Sequence, residues 1–221
     1  MEKKPCKIAV LIVAAGRGTR AGAGAPKQWR SLGNGTVAAQ TVSVFQAHTQ
    51  ITDIAMVIHR DDRDIAKQLT GVRLIQGGAT RDASVLAGLE GLTHTKPDLV
   101  LIHDVARPLV SAQVIDDVIA ALSTTPGAAP AIAVTDALWR GNNGLVTGTE
   151  NREGLYRAQT PQGFHFDKIL AAHHAHPGGA ADDVEVARHA GLDVAIVPGE
   201  ERNMKITTPE DFARAERYLK G

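Results

Sequence analysis

Cysteine is almost missing from this chain: one, Cys6, stands among 221 residues, which excludes an internal disulfide and leaves no partner for a thiolate metal site. Cys6 is expected to be a small buried residue beside the first strand, and a reducing cytoplasm is the compartment this usage implies. Net charge is missing too. The 24 Lys and Arg residues balance 24 Asp and Glu, so no long-range field marks a nucleic-acid or membrane binder, and any basic site has to be local. The apolar run Ile8 to Val13 is far shorter than the ~20 residues that span a bilayer, and the preceding Met1-Glu2-Lys3-Lys4-Pro5 is expected not to belong to a cleaved signal. Repeats and low-complexity linkers are also lacking.

What the chain does have is alternation. Short Val- and Ile-rich runs at Lys7 to Ala14, Asp53 to His59, Val72 to Gln76, Asp98 to His103, Ala128 to Val134 and Asp193 to Val197 read as buried parallel strands. Helical spacing fills the intervals at Val37 to Ala47, Asp61 to Leu69, Thr80 to Leu92, Ala112 to Leu122 and Asp183 to His189. The pattern predicts an α/β fold: a single doubly wound, mostly parallel sheet, Rossmann-like, in one domain over residues 1–221. A last helix begins where Thr208 can cap, Pro209 suits the first turn, and Glu210 and Asp211 complement the helix dipole; Tyr218 and Leu219 are expected to anchor its end. From Thr135 to Gln159 the alternation breaks, and Gly141-Asn142-Asn143-Gly144 suits a hairpin turn. A projecting arm of two strands is marginal alone, so a second copy of the chain is its expected partner.

The richest segment follows the first strand: Ala14-Ala15-Gly16-Arg17-Gly18-Thr19-Arg20, then Ala21 to Ala25, then Pro26-Lys27. Loops at the carboxyl ends of strands are where open α/β sheets hold ligands. Small residues admit a polyphosphate to the backbone N–H groups, and Arg17, Arg20 and Lys27 add charge. A P-loop is excluded, because no Gly-Lys-Ser or Gly-Lys-Thr occurs here. Gly16-x-Gly18-x-x-Ala21 satisfies a loose dinucleotide fingerprint, but Gly22, Gly24 and Pro26 interrupt the helix it needs and the second strand ends in His59-Arg60 rather than an acid. An NAD-dependent oxidoreductase and a plain surface loop are the weaker alternatives.

Together with Gly77-Gly78, Ser84 to Leu89, His103-Asp104-Val105-Ala106-Arg107-Pro108, Arg152, Ala158 to Gln162, Asn203 to Thr207 and Pro209-Glu210-Asp211, this loop resembles the 2-C-methyl-D-erythritol 4-phosphate cytidylyltransferase family, nearly end to end. The resemblance implies that a phosphate oxygen of a polyol phosphate attacks the α-phosphorus of CTP and pyrophosphate leaves. A phosphate monoester with a second pKa near ~6 is already largely dianionic at neutral pH, so no general base is needed and cations carry the work. The resemblance assigns Arg20 and Lys27 to the triphosphate and transition state, with Arg17 peripheral. It places Ala14, Ala15, Gly16, Gly18, Gly78, Ser84 and Val105 around the nucleotide, and Asp104 on Mg²⁺. Arg152 and Lys205 would hold methylerythritol phosphate, with Arg107 and Thr160 nearby. It further implies a homodimer in which the arm carries Arg152 across to the partner's site.

Departures from the family pattern fall at Ala79, Val105, Ala137 and Asn151. A hydroxyl lost at Ala137 removes a hydrogen bond worth about 1 kcal/mol, which leaves open an acceptor such as ribitol 5-phosphate, or a CTP-binding homologue without activity. The wording of the first loop is similar to that of bifunctional members, in which a second catalytic half follows. His173-His174-Ala175-His176 is expected to be an exposed helix end rather than a metal site, and Trp29 and Trp139 to be packing residues.

Overall fold

The structure is a computed structural model, described for residues 5–17 and 25–220. In chain order the elements are β1 (Ile8–Ala14), β2 (Ser31–Leu32), β3 (Gly35–Thr36), α1 (Val37–Gln46), β4 (Ile51–Ile58), α2 (Arg63–Ala66), β5 (Arg73–Gln76), α3 (Arg81–Leu92), β6 (Leu99–Asp104) and α4 (Ala112–Ala121). There follow β7 (Gly127–Ala133), β8 (Leu138–Asn142), β9 (Leu145–Glu150), β10 (Tyr156–Ala158), β11 (Gln162–His165), α5 (Phe166–Ala175), α6 (Asp183–His189), β12 (Val194–Pro198) and α7 (Pro209–Lys220).

The six runs predicted as strands all point the same way. β1 pairs in parallel with β4 and β6, and β4 with β5. β11 lies antiparallel between β6 and β7, which gives β7 the direction of β6. β12 continues in parallel on β7, whose far end takes β10 antiparallel. Side chains of β1 alternate between two cores. Ile8, Val10 and Ile12 meet Ala38, Val42 and Phe45 of α1 and Val114, Ile115 and Val118 of α4. Ala9 and Leu11 face Val85 and Leu89 of α3, Ile169 of α5 and Val186 of α6. The sheet is thus covered on both faces, as near-continuous apolar strands require.

A third cluster seats α7, through Phe212 and Ala215, on Leu32, Val37, Leu109 and Ile206, with Tyr218 packed beside it and Leu219 exposed. The start of α7 differs in detail from the expectation. Asp211 accepts from the Thr207 and Thr208 backbone N–H groups at 2.8 and 2.9 Å, so its carboxylate satisfies donors that would otherwise be orphaned at a helix entry.

Several expectations are corrected. Cys6 is exposed, because it precedes β1 and is not yet inside the sheet. β12 is an edge strand with Ile196 exposed, rather than a buried one. The helix expected over Asp61 to Leu69 shrinks to a 3₁₀ turn, Arg60–Asp62, and the four residues of α2. His173 is buried against Asp183, at 3.1 Å, because Phe166, Ile169, Ala172 and His173 form the inward face of α5. Trp29 is buried, but Trp139 is 68% exposed.

Trp139 stands on the hairpin β8–β9, a separate two-stranded sheet turned by Asn143 and Gly144 at φ 50° and 77°. Two successive left-handed residues are the primed turn that matches strand twist. No described helix is long and apolar enough to cross a membrane.

Candidate active site

Strand order fixes where a ligand can sit. The chain winds outward from β1 to β4 and β5, then returns to the other side of β1 for β6. That reversal parts the loops after β1 and β6 and leaves a crevice at the carboxyl ends of the strands. An open cleft of about 300 Å³ occupies it, lined by the ends of β1 and β6, the loop and first turn of α3, and Lys27 and Lys205.

Each wall has a local cause. Lys27 lies in a short 3₁₀ turn, Lys27–Trp29, after Pro26, where the Trp29 N–H reaches the Pro26 carbonyl at 2.9 Å. From there its ammonium donates to the Ile206 carbonyl at 2.9 Å. Ile206 is itself pinned, its N–H bonding Ala106 O at 2.8 Å, so the residue next to Lys205 joins the β6 loop to Lys27. On the opposite wall Gly77 and Gly78 have no room for a side chain. A Cβ on Gly77 would lie 2.6 Å from Ala15 Cβ, and one on Gly78 2.6 Å from Ala83 Cβ. The buried Ser84 hydroxyl donates to Thr80 O at 2.8 Å and accepts from Gly78 N–H at 3.2 Å; it is engaged in shaping this loop.

Asp104 closes β6 and is the one carboxylate among the described residues lining the cleft. Its Oδ2 lies 2.7 Å from Lys205 Nζ and 3.8 Å from Arg107 Nε. Burial opposes its ionisation, but Lys205 above all, with Arg81 and Arg107, holds its pKa down to about 2. Behind it, burial lowers the pKa of His103 to about 4, so the ring is neutral. His103 Nε2 lies 3.0 Å from Arg107 O, which can only accept, so that nitrogen carries the hydrogen. Nδ1 then accepts from the Thr160 hydroxyl at 3.0 Å, and Thr160 Oγ1 in turn accepts from Asp104 N–H at 3.1 Å. Every polarity in this relay is fixed.

Most of the residues singled out in the sequence meet at this cleft. Ala14, Ala15, Gly16, Lys27, Gly78, Ser84, Asp104, Val105 and Lys205 line the cleft, as does the departure Ala79. Thr160 lies one hydrogen bond behind it. Arg107 is a clamp, its guanidinium donating to Asn203 O at 2.7 Å and Ala158 O at 3.2 Å, which ties the Lys205 loop to the foot of the arm. Arg152 does not line the cleft; it is exposed on the arm and bonded to Thr135 O. Gly18 and Arg20 lie outside the described residues.

Arg81 was missed. It heads α3, lines the cleft, and pairs in bidentate fashion with the fully buried Asp183, at 3.3 and 2.6 Å. Burial works against the guanidinium charge, but Asp183 outweighs it and raises the Arg81 pKa. Its signal was a charged residue just after a capping Thr80 at the end of a strand. Gln28 was also left without a role; it is buried and bonded to two carbonyls of the first loop.

The family model for 2-C-methyl-D-erythritol 4-phosphate cytidylyltransferase matches residues 8–221. The enzyme of that name from Roseobacter denitrificans is 61% identical over 216 residues, covering 97% of each chain. A bifunctional enzyme IspD/IspF from Rhodobacter capsulatus is 64% identical over 96% of this chain, which spans 56% of that protein. Among solved structures, 2-C-methyl-D-erythritol 4-phosphate cytidylyltransferase from Thermus thermophilus superposes with a TM-score of 0.82 at 31% identity, covering 96% of this chain and 98% of its own. With that extent of sequence agreement, and a basic cleft at the strand-order reversal, the chain belongs to the 2-C-methyl-D-erythritol 4-phosphate cytidylyltransferase family of nucleotidyltransferases.

Proposed function

We propose that this chain transfers CMP from CTP to 2-C-methyl-D-erythritol 4-phosphate, giving 4-diphosphocytidyl-2-C-methyl-D-erythritol and pyrophosphate. The observation that carries the reading is the convergence of Lys27 and Lys205, from opposite ends of the chain, on one cleft floored by the β1 and β6 loops. The acceptor's phosphate oxygen forms a bond to the α-phosphorus of CTP as the bond from that phosphorus to the pyrophosphate oxygen breaks. Both partners are anionic, so the barrier is dominated by charge crowding, and preorganised cations lower it. Lys27, held by Ile206 O, stabilises the transition state, with Arg20 assigned to the same task. Gly16, Gly78 and Ala14 offer backbone to the nucleotide. Lys205, oriented by Asp104, faces the acceptor phosphate.

Mg²⁺ belongs to the reading, and the donor set is compatible with it. Mg²⁺ takes one or two carboxylates plus substrate phosphates and water, and Asp104 is the carboxylate at hand; when bound, the ion would neutralise phosphate charge.

The arm is assigned to a homodimer interface. Its exposed Trp139, Leu145 and Val146 are the apolar surface such an interface buries, and Arg152, remote from its own cleft, would serve the partner's. An exposed free thiol at Cys6 supports a cytoplasmic location. The test is pyrophosphate release from CTP and Mg²⁺ with either methylerythritol phosphate or ribitol 5-phosphate. Release with the first and not the second is expected; the reverse would identify another polyol phosphate as the acceptor, and CTP binding without turnover an inactive homologue.

A further inference from the structure

The first loop leaves the sheet at Ala14 and returns at Lys27–Trp29, and its two ends meet on a carboxylate from a different element. Asp62 ends the 3₁₀ turn Arg60–Asp62 after β4, the strand beside β1, and is 5% exposed. Its Oδ1 takes Arg17 Nη1 at 3.0 Å, and its Oδ2 lies 3.5 Å from Gln28 Nε2. That same amide, on a side chain 1% exposed, donates to Ala14 O at 2.9 Å and Gly16 O at 3.0 Å. One buried amide thereby satisfies two carbonyls at the start of the loop from a position just past its end, and one buried carboxylate ties to both.

We propose that Asp62 and Gln28 are positioning residues that staple the base of the phosphate loop, and that Arg17 acts through Asp62 rather than on the nucleotide. The assignment rests on the cytidylyltransferase reading. A guanidinium already paired with a buried carboxylate adds little net attraction for a triphosphate. Its pairing instead removes freedom from the loop's entry at Gly16 and Arg17, and an entry fixed in advance spends less binding energy on ordering when ligand arrives. Asp62 holds its own place through the turn, its N–H bonding His59 O at 3.0 Å.

The test is a double-mutant cycle on the full chain, with KM for CTP and for the acceptor measured separately. Arg17→Met is the safe variant, since that side chain is 45% exposed. Arg17→Met, Asp62→Asn and the double mutant are each expected to raise the CTP KM by about tenfold with the acceptor KM within about twofold, because residues acting as one unit are non-additive. Arg17→Lys, which can still pair with Asp62, is expected to recover most of the wild-type KM. A double mutant whose CTP KM is the product of the two single effects would show Arg17 acting independently and overturn the staple, as would an unchanged CTP KM in Arg17→Met. Should Asp62→Asn fail to fold, Arg17→Met and Arg17→Lys decide alone. Wild-type protein that releases no pyrophosphate overturns the proposed function and this assignment with it, whereas active wild type with an indifferent Arg17→Met overturns the staple only.

Discussion

At the scale of single residues, the site is organised around one half-buried carboxylate, Asp104, and the cations it collects. Lys27 lines the cleft with its ammonium donating to Ile206 O at 2.9 Å, and the proposed reading assigns its charge to the triphosphate. Lys27→Ala is therefore expected to lower turnover by more than tenfold with little change in thermal stability; near-normal turnover would contradict its assigned role. His103 makes a different claim. Buried and neutral, with a pKa near 4 against an ordinary 6.5, it contributes stability that is complete above pH 6.5 and lost as pH falls from there toward 4, because only the unfolded chain takes up the proton in that interval. Replacing it by Gln should flatten that dependence by about 2 to 3 kcal/mol, measured as urea unfolding at pH 7 and 4.5. Equal pH dependence in the two proteins would count against the neutral relay. Asp104 is opposite in origin but similar in sign: its pKa near 2 means its stabilisation persists above pH 4 and disappears as pH drops through 2.

Elements show how far the sequence could be read. The central strands β1, β4 and β6 were legible because they are largely buried on both faces and carry near-continuous Val-, Ile- and Leu-rich runs, whereas the edge strands β5 and β12, read as buried, are only partly so. β10 and β11 were not. Tyr156–Ala158 is wholly exposed and three residues long, and Gln162-Gly163-Phe164-His165 has neither β-branched residues nor alternation. They are placed by pairing with β7 and β6, a tertiary fact. α5 had its signal in Phe166, Ile169, Ala172 and His173 at helical spacing, with two further histidines, His174 and His176, at its end. The cleft's glycines and lysines were found through motif order, whereas Arg81 and Asp62 depend on partners 102 and 45 residues away, which no local pattern reveals. The hairpin, by contrast, was written into Asn143-Gly144. Gly144 sits at φ 77° with nothing within 4 Å of a Cβ, so Gly144→Val strains the turn by about 1 kcal/mol or more without a clash. If the arm joins two copies, that substitution should weaken self-association in sedimentation experiments while leaving the melting of the main sheet unchanged. Unaltered association would detach the arm from dimerisation.

The whole molecule poses the question of where one active site ends. Within a single chain the cleft has Lys27, Arg81, Asp104 and Lys205, but Arg152 stands on an arm whose exposed Trp139, Leu145 and Val146 face away from the two cores. An isolated two-stranded ribbon is poorly stable in water, and large apolar side chains on it mark an interaction surface. The clamp of Arg107 onto Ala158 and Asn203 would transmit the seating of that arm to the loop bearing Lys205. If the arm delivers Arg152 to a neighbouring cleft, sites are composite, and two inactive proteins can repair each other. Arg152→Ala should raise the acceptor KM at least about tenfold, the scale of a lost charge-assisted hydrogen bond, and Lys27→Ala should lower turnover. In mixed dimers, one cleft in two draws wild-type Lys27 and wild-type Arg152 from different chains, so mixing and exchange should recover up to about a quarter of wild-type activity when half the dimers are mixed. Activity no greater than the sum of the separate mutants, with exchange verified by differently tagged chains, would confine each site to its own subunit.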